Sequence, residues 1–284
     1  MALALKPALP QECGPRIWYL CPMDDHKSNK RKTPPPPKRV VLFVTCLVDQ
    51  FSPNVGESVV DILEGLGIEV VFPDAQTCCG QPAFNSGYRD HARPVAARFL
   101  DIFAGEDIIV TPSGSCAAMV RNFYPELFHG DEEMLRRARA TADRVWELTE
   151  FLVDVLGRTD LGGRHAGKVT YHKCCHLMRE LRVDSQPVKL LEAVAGLGIK
   201  PLNRAEVCCG FGGAFSVKMS DISSAMLNEK LDNIVATGAG TVIAGDTGCI
   251  MHMQGGLRRR RSDVQVVHIA QFLAKSTERK GADN

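Results

Sequence analysis

A chain of 284 residues, 45% hydrophobic and 24% charged, has enough apolar surface for ordinary globular cores, and its length predicts two domains. A formal net charge of +1 offers no electrostatic footprint for nucleic acid, and no apolar run approaches the roughly 18 residues needed for an integral membrane segment. The N-terminus lacks the apolar stretch of a signal peptide, so a cytoplasmic setting is expected, in which eleven cysteines point to metal or redox chemistry rather than to a disulfide scaffold.

Residues 1–37 read as a Pro-rich, flexible N-terminal tail: a basic stretch (Lys27, Lys30, Arg31, Lys32) runs into Pro34–Pro37, which favours an extended spacer. Cys13 and Cys21 lie in this tail without a partner motif and read as free thiols. From Arg39 the texture changes. Arg39–Thr45 is β-branched and apolar, a buried strand; Ser58–Leu66 has helical spacing and stops at Gly67; Ile68–Phe72 is a second strand. The turn Cys78-Cys79-Gly80 leads to a helix over about Asp90–Phe103. Asp107–Thr111 is a third strand ending at Ser113-Gly114-Ser115-Cys116, and a long charged helical stretch, about Glu132–Leu156, closes this half.

The second half repeats these events. Lys168–His172 is a strand running into Cys175-His176, and a helix near Pro187–Leu197 stops at Gly198. Ile199–Leu202 is a short strand before Cys208-Cys209-Gly210. A helix near Ser220–Ala236 then leads to a strand, Gly240–Ala244, ending at Asp246-Thr247-Gly248-Cys249. Even the ends match, Val145–Leu152 (VWELTEFL) resembling Val267–Leu273 (VHIAQFL). Strands alternating with helices predict an α/β fold: two tandem repeats of a parallel-sheet, three-layer-like unit with cysteine loops at the carboxyl ends of the strands. The expected domains are 38–157 and 168–276, joined by the Gly-rich, polar Arg158–Gly167.

The order Cys46, Cys78-Cys79-Gly80, Cys116 recurs as Cys175, Cys208-Cys209-Gly210, Cys249. The separations are 31 and 35 residues in the first half and 32 and 38 in the second. Scattered core cysteines acting as small hydrophobes would not recur in register, so the pattern marks a duplicated unit with a chemical purpose. Thiolates are soft donors that suit iron–sulfur clusters and zinc. Zinc competes as a reading, although its usual signature is a closely paired C-x₂₋₄-C. A disulfide between vicinal cysteines is disfavoured by strain.

Four phrases carry a resemblance: Thr111–Cys116 (TPSGSC), Tyr171–Arg179 (YHKCCHLMR), Cys208–Phe215 (CCGFGGAF) and Asp246–Cys249 (DTGC). With them, the stretch from about Val40 to Leu273 resembles the lactate utilisation protein A family. More broadly it resembles the duplicated CCG cysteine-rich domain of the heterodisulfide reductase B subunit and the glycolate oxidase iron–sulfur subunit. The resemblance implies an electron-transfer component of an L-lactate oxidising complex, working with a ferredoxin-type iron–sulfur partner subunit and a further lactate-utilisation subunit. It implies that Cys46, Cys78, Cys79 and Cys116 ligate one centre and that Cys175, Cys208, Cys209 and Cys249 ligate the other. The implied cofactor is an iron–sulfur cluster of the [4Fe–4S] type, one or two per chain, with zinc in one half as the alternative. The broader family ends each motif in C-x-x-C; here the first of that final pair is Ser113 in one half and Asp246 in the other. A five-cysteine cluster is therefore not assumed, and whether Ser113 or Asp246 ligates through oxygen stays open. A zinc-stabilised scaffold, the redox subunit of a glycolate or other 2-hydroxy acid oxidase, and a heterodisulfide-type reductase remain alternatives.

Other residues attract weaker readings. Cys174 has no cysteine counterpart beside Cys46 and reads as a buried bystander. His172 and His176 flank the same loop, His176 either bonding to a sulfur or serving as a cap. Phe211-Gly212-Gly213 lacks nucleotide-fingerprint spacing and reads as a turn around the site. Arg258–Arg261 reads as a solvated helix end or, more sharply, a docking patch for an acidic partner. No P-loop, catalytic triad, paired carboxylates or flavin site stands out, so the thiols account for electron transfer and not for breaking a C–H bond.

Overall fold

The computed structural model describes residues 31–105 and 107–277. The tail reading through residue 30, with Cys13 and Cys21, lies outside the described residues. Among the described residues, those from Pro34 onward form one compact unit.

In the first repeat, β1 (Arg39–Leu42), α1 (Cys46–Phe51), α2 (Pro53–Gly65) and β2 (Glu69–Val71) are followed by α3 (Gln81–Asn85), α4 (Arg89–Ile102) and β3 (Ile108–Thr111). Then come α5 (Gly114–Ala118), a π-helical turn at Met119–Phe123, α6 (Tyr124–Leu127), α7 (Glu132–Ala142), β4 (Val145–Glu147) and α8 (Leu148–Glu150), which runs into a second π turn at Phe151–Val155. The second repeat comprises β5 (Arg164–Tyr171), a π turn at His176–Glu180, α9 (Ser185–Glu192) and β6 (Ala195–Lys200). It continues through α10 (Ala214–Lys218), α11 (Ser220–Ala236), β7 (Thr241–Ala244), α12 (Thr247–Arg259), β8 (Gln265–His268) and α13 (Ile269–Thr277).

Each repeat builds a four-stranded, all-parallel sheet, in the order β2-β1-β3-β4 and β6-β5-β7-β8. The inner strands β3 and β7 are short, apolar and buried on both faces, whereas β5 begins exposed and β6 has no buried residue. On β1, Val40 and Leu42 enter one core cluster, whereas Phe43, one residue past the strand, enters another. Alternation along a strand explains the split. The cluster holding Val40 and Leu42 is shared: it runs through Val59 and Leu63 of α2, Phe151 and Leu152, Leu190 and Leu191 of α9, and Ile269 and Leu273 of α13. The packing is reciprocal, with α13 of the second repeat lying on α2 of the first and α8 of the first lying on α9 of the second.

Several boundaries depart from the expectations. The stretch Glu132–Leu156 is not one helix: α7 stops at Ala142, and Val145–Glu147 pairs with β3 in the register Ile109↔Val145, Thr111↔Glu147. Arg144 ends the helix by donating to the carbonyls of Asp107 and Phe103, and three buried strand residues are too few for a periodicity to register. The helix expected over Pro187–Leu197 ends at Glu192, and the strand expected at Ile199–Leu202 occupies Ala195–Lys200 instead, its Gly196 and Gly198 having hidden it. Part of the expected linker, Arg164–Gly167, belongs to β5. The helix expected from Ser58 begins at Pro53, a residue whose fixed φ suits a helix start, and the short α1 precedes it.

The sheet register makes Glu147 and His268 equivalent, each ending its repeat's fourth strand. His268 accepts from Ala270 N at 3.1 Å, and its Nε2 lies 2.9 Å from the carbonyl of Pro112, tying the second repeat to the loop before Ser113. Glu147 accepts from Thr149 N at 2.7 Å and from Thr149 Oγ1, while its Oε1 is buried without a partner. Burial pushes the Glu147 carboxyl up from 4.5 to about 7.

Two outcomes are expected. Phe151→Ala, at a fully buried position in the shared cluster, should cost about 3–5 kcal/mol and still give one cooperative urea transition reporting both repeats. Separate transitions would refute the shared core. Because the folded-state pKa of Glu147 is raised, its favourable contribution is complete below the ordinary carboxylate value and is lost as pH rises through the folded one. Glu147→Gln should therefore gain about 3 kcal/mol on wild type as pH moves from about 4.5 to about 8. Parallel pH profiles for the two proteins would mean that Glu147 titrates normally.

Candidate metal centres

Parallel strands carry their C-terminal loops on one edge of a sheet, and β2, β1 and β3 are neighbours. Cys46 begins α1 directly after β1, Cys78 and Cys79 follow β2, and Cys116 lies in the first turn of α5 after β3. Equivalent placements hold for Cys175, Cys208, Cys209 and Cys249 after β5, β6 and β7.

The structure brings each set of four together. Cys46 Sγ lies 3.7 Å from Cys78 Sγ, and Cys79 Sγ lies 3.4 Å from Cys116 Sγ. In the second repeat Cys175 and Cys208 are 3.9 Å apart, and Cys209 and Cys249 are 3.2 Å apart. The vicinal cysteines Cys78-Cys79 and Cys208-Cys209 join the two close pairs of each set into one run of four sulfurs. All eight are free thiols; Cys79, Cys116, Cys209 and Cys249 are buried, whereas Cys46, Cys78, Cys175 and Cys208 are half-buried. Each centre thus has an inner pair shielded from water and an outer pair near the surface.

One outer thiol in each set, Cys78 and Cys208, is favoured as the thiolate, whereas neighbouring thiols and burial push the inner Cys79, Cys209 and Cys249 up. Hydrogen bonds from Cys46 and Cys79, and the amide of Gly80 at 3.4 Å, hold the Cys78 thiol well below the ordinary thiol range. Cys208 is lowered in the same way by Cys175, Cys209 and the Gly210 amide at 3.3 Å. Their neighbours Cys46 and Cys175 are pushed up, because each shares its proton with a partner already charged.

Backbone conformation fixes the two turns. Gly80 and Gly210 have φ of +83° and +90°, a region that side chains disfavour. A Cβ on Gly210 would also stand 2.7 Å from the Ser223 carbonyl, whereas on Gly80 nothing is nearer than 3.5 Å. Tyr124 Oη donates to the Cys79 carbonyl at 2.9 Å, and Ser223 Oγ donates to the Gly210 carbonyl at 2.8 Å. Gln76 extends the edge of β1, accepting from Val44 N at 2.7 Å and donating to the Leu42 carbonyl at 3.2 Å, which anchors the approach to Cys78.

Ser113 and Asp246, which stand where a fifth cysteine is expected, face each other across the repeats. Ser113 Oγ donates to Asp246 Oδ2 at 3.2 Å, and the same oxygen accepts from Ser115 N at 3.1 Å. Each also caps its own helix, Ser113 accepting from Cys116 N and Asp246 from Gly248 N. These oxygens are engaged in joining the two cysteine loops.

Cys174 is buried, as expected, and its thiol donates to the His172 carbonyl at 3.9 Å. His176 Nδ1 lies 3.7 Å from Cys175 Sγ. Arg258 and Arg259 close α12, while Arg260 bonds to Asp232 and Asn228, so this part of the run ties α12 to α11. The glycines after Cys209 form a turn, and Phe211 lies so close that a Cβ on Gly248 would meet its ring at 2.6 Å.

Lys230 escaped the sequence reading. It is buried on α11 with its ammonium on the carbonyls of Arg204 and Ala205 at 2.6 and 3.3 Å. Burial lowers its pKa, while the nearby Cys209, Cys208 and Cys249 oppose that fall. A signal was present, since Lys230 falls at helical spacing from the buried Leu227 and Ile234. His172 is likewise buried, and desolvation, reinforced by Lys230, lowers it to about 3.

Eight thiols in two shielded groups of four, with amides directed at sulfur, suit metal or iron–sulfur binding. Gly210→Ala should cost about 2–4 kcal/mol and deplete metal from the second set, while Gly80→Ala costs about 1–2 kcal/mol. Equal losses in urea unfolding and metal analysis would show that the approach of Gly210 to Ser223 is immaterial.

Comparison with known proteins agrees with this geometry. The cysteine-rich (CCG) domain model matches residues 40–121 and again 169–254. Lactate utilization protein A 2 of Bacillus cereus is 49% identical over 237 residues, covering 84% of this chain and 98% of the relative. Lactate utilization protein A of a Geobacillus species is 48% identical over 235 residues, covering 83% and 98%. A hypothetical protein from Helicobacter pylori shares the fold, with a TM-score of 0.62 at 12% identity, over 90% of this chain and 52% of that one. Among the described residues, no helix is long and apolar enough to cross a membrane. The chain belongs to the lactate utilization protein A family and carries its cysteine-rich CCG domain twice.

Proposed function

We propose that this chain is the iron–sulfur electron-transfer component of a cytoplasmic L-lactate oxidising system. In this reading one centre is held by Cys46, Cys78, Cys79 and Cys116, and the other by Cys175, Cys208, Cys209 and Cys249. The observation that carries it is the pair of four-sulfur chains, each part buried and part accessible. Relatives named for lactate utilization supply the substrate.

Conversion of lactate to pyruvate releases two electrons, and an iron–sulfur centre when bound supplies one-electron transfer. The chain's own residues then do three things. Cys79, Cys116, Cys209 and Cys249 hold the inner side away from water, which strengthens every electrostatic interaction there. The Gly80 and Gly210 amides and the Lys230 ammonium offset negative charge. The outer thiols are the half-buried ones, and on the segments that follow the cysteine turns Phe51, Tyr88, Val217, Met219 and Ile222 are exposed, apolar side chains suited to docking a partner that exchanges electrons. That partner is the ferredoxin-type iron–sulfur subunit, and breaking the C–H bond falls to a further lactate-utilisation subunit.

Zinc is the second reading, and one observation favours it. Zinc–sulfur bonds of about 2.3 Å in a tetrahedron place sulfurs about 3.8 Å apart, close to the 3.7 Å of Cys46–Cys78 and the 3.9 Å of Cys175–Cys208. Such a centre would make the chain a scaffold.

Anaerobic purification followed by iron, sulfide and zinc analysis separates the two. Iron and sulfide in equal amounts, with broad visible absorbance, support electron transfer; colourless protein with stoichiometric zinc sinks it. Cys79→Ser and Cys209→Ser should each lose roughly half of the bound iron and abolish lactate-dependent reduction with the partner proteins present, whereas Cys13→Ser should change neither. Identical behaviour of all three would refute the ligand assignment.

A further inference from the structure

The two repeats match in strand order and sulfur arrangement but differ behind the sulfurs. Phe43 and His172 occupy the same place: Phe43 N donates to Val110 O and His172 N to Ile243 O, both at 2.9 Å, just past the first strand of each repeat. Phe43 does there what a core aromatic does, packing edge-on against Phe99 and Phe103 at 4.8 and 5.4 Å between centroids. His172 is equally buried, yet neither ring nitrogen has a hydrogen-bond partner. An imidazole in that condition sacrifices the hydration of two polar atoms for nothing, unless something else is meant to occupy them.

What faces it is sulfur. A ring nitrogen of His172, Cys209 Sγ and Cys249 Sγ all lie within 4.8 Å of one another, the one such trio among the described residues. The supporting helix differs in the same sense. A Cβ on Gly80 would face the Ala92 carbonyl and one on Gly210 the Ser223 carbonyl. Seven residues beyond each reference point, 92 + 7 and 223 + 7, stand Phe99 and Lys230. An aromatic wall in the first repeat is therefore replaced by an imidazole and an ammonium in the second.

We propose that His172 is a nitrogen ligand of the second centre, beside Cys209 and Cys249, so that this centre is mixed imidazole–thiolate while the first is thiolate only. The inference rests on the reading that each cysteine set holds metal, and the donor set serves either the iron of a cluster or zinc. A neutral donor together with a buried cation favours the reduced state of an iron centre, which places its potential above that of the first. Electrons entering at the first centre would then run downhill to the second.

The test uses the full chain, purified anaerobically as wild type, His172→Phe and His172→Cys. Metal content is read alongside X-ray absorption at the edge of the bound metal and, for iron, pulsed EPR of the reduced protein. Wild type should show the scattering and hyperfine coupling of a directly bound imidazole. His172→Phe, which installs the residue the first repeat already carries, should lose that signature and leave the second centre thiolate-only, like the first. His172→Cys should keep metal without the nitrogen signature, which separates loss of a ligand from loss of the fold. Metal in both halves of wild type with no bound-nitrogen signal, or a signal that survives in His172→Phe, overturns the ligand assignment alone. A second half of wild type without metal overturns the reading of that cysteine set, and the ligand with it.

Discussion

Everything at the two cysteine sets depends on three neighbouring strands running in the same direction. In a parallel sheet the connections return behind the strands, so every loop that follows a strand emerges at one edge. With β1 between β2 and β3, the residues that follow these strands are brought within a few ångströms of each other although some 70 residues of chain separate the first thiol from the last. An antiparallel order would send Cys78 and Cys79 to the opposite edge from Cys46. The sulfur chains, the amides directed at them and the shielded inner pair all follow from this one directional constraint.

A sheet of short strands depends on what covers its faces. Here each repeat completes the other: α13 covers α2, α8 covers α9, and a continuous apolar cluster spans both. The cysteine loops are joined by polar contacts as well. Asp246 accepts from Ser113 and from the Ser115 amide, and His268 reaches the Pro112 carbonyl. The two positions at which a further thiol was expected have here become the link between the repeats. The two cysteine sets are therefore tied to each other through the fold rather than built as independent units.

Duplication supplies a control within the molecule. Where the repeats agree, as in the glycines after each Cys-Cys pair and the helix caps before Cys116 and Cys249, the shared feature is needed to fold a cysteine loop. Where they differ, as in Phe43 against His172 and Phe99 against Lys230, the scaffold accepts either residue and the difference concerns the site. That comparison separates structure from chemistry without recourse to any other protein.

The amino-acid sequence by itself determined the duplication, the parallel α/β class and the identity of the eight thiols, because strand periodicity and the Cys-Cys-Gly spacing are local properties that survive without a third dimension. It did not disclose β4, whose three buried residues are too short to show a period, nor the true extent of β6, which two glycines disguised. The roles of Ser113, Asp246, His172 and Lys230 were beyond its reach for another reason. Ser113 and Asp246 stand 133 positions apart (246 − 113), and no local pattern reports a bond of that kind. Lys230 and His172 acquire their meaning only once packing has removed water and placed sulfur beside them. Ligand types can be read from a chain, but which polar groups are left facing a site is decided by tertiary burial, since only the folded core makes an unsatisfied donor or acceptor costly.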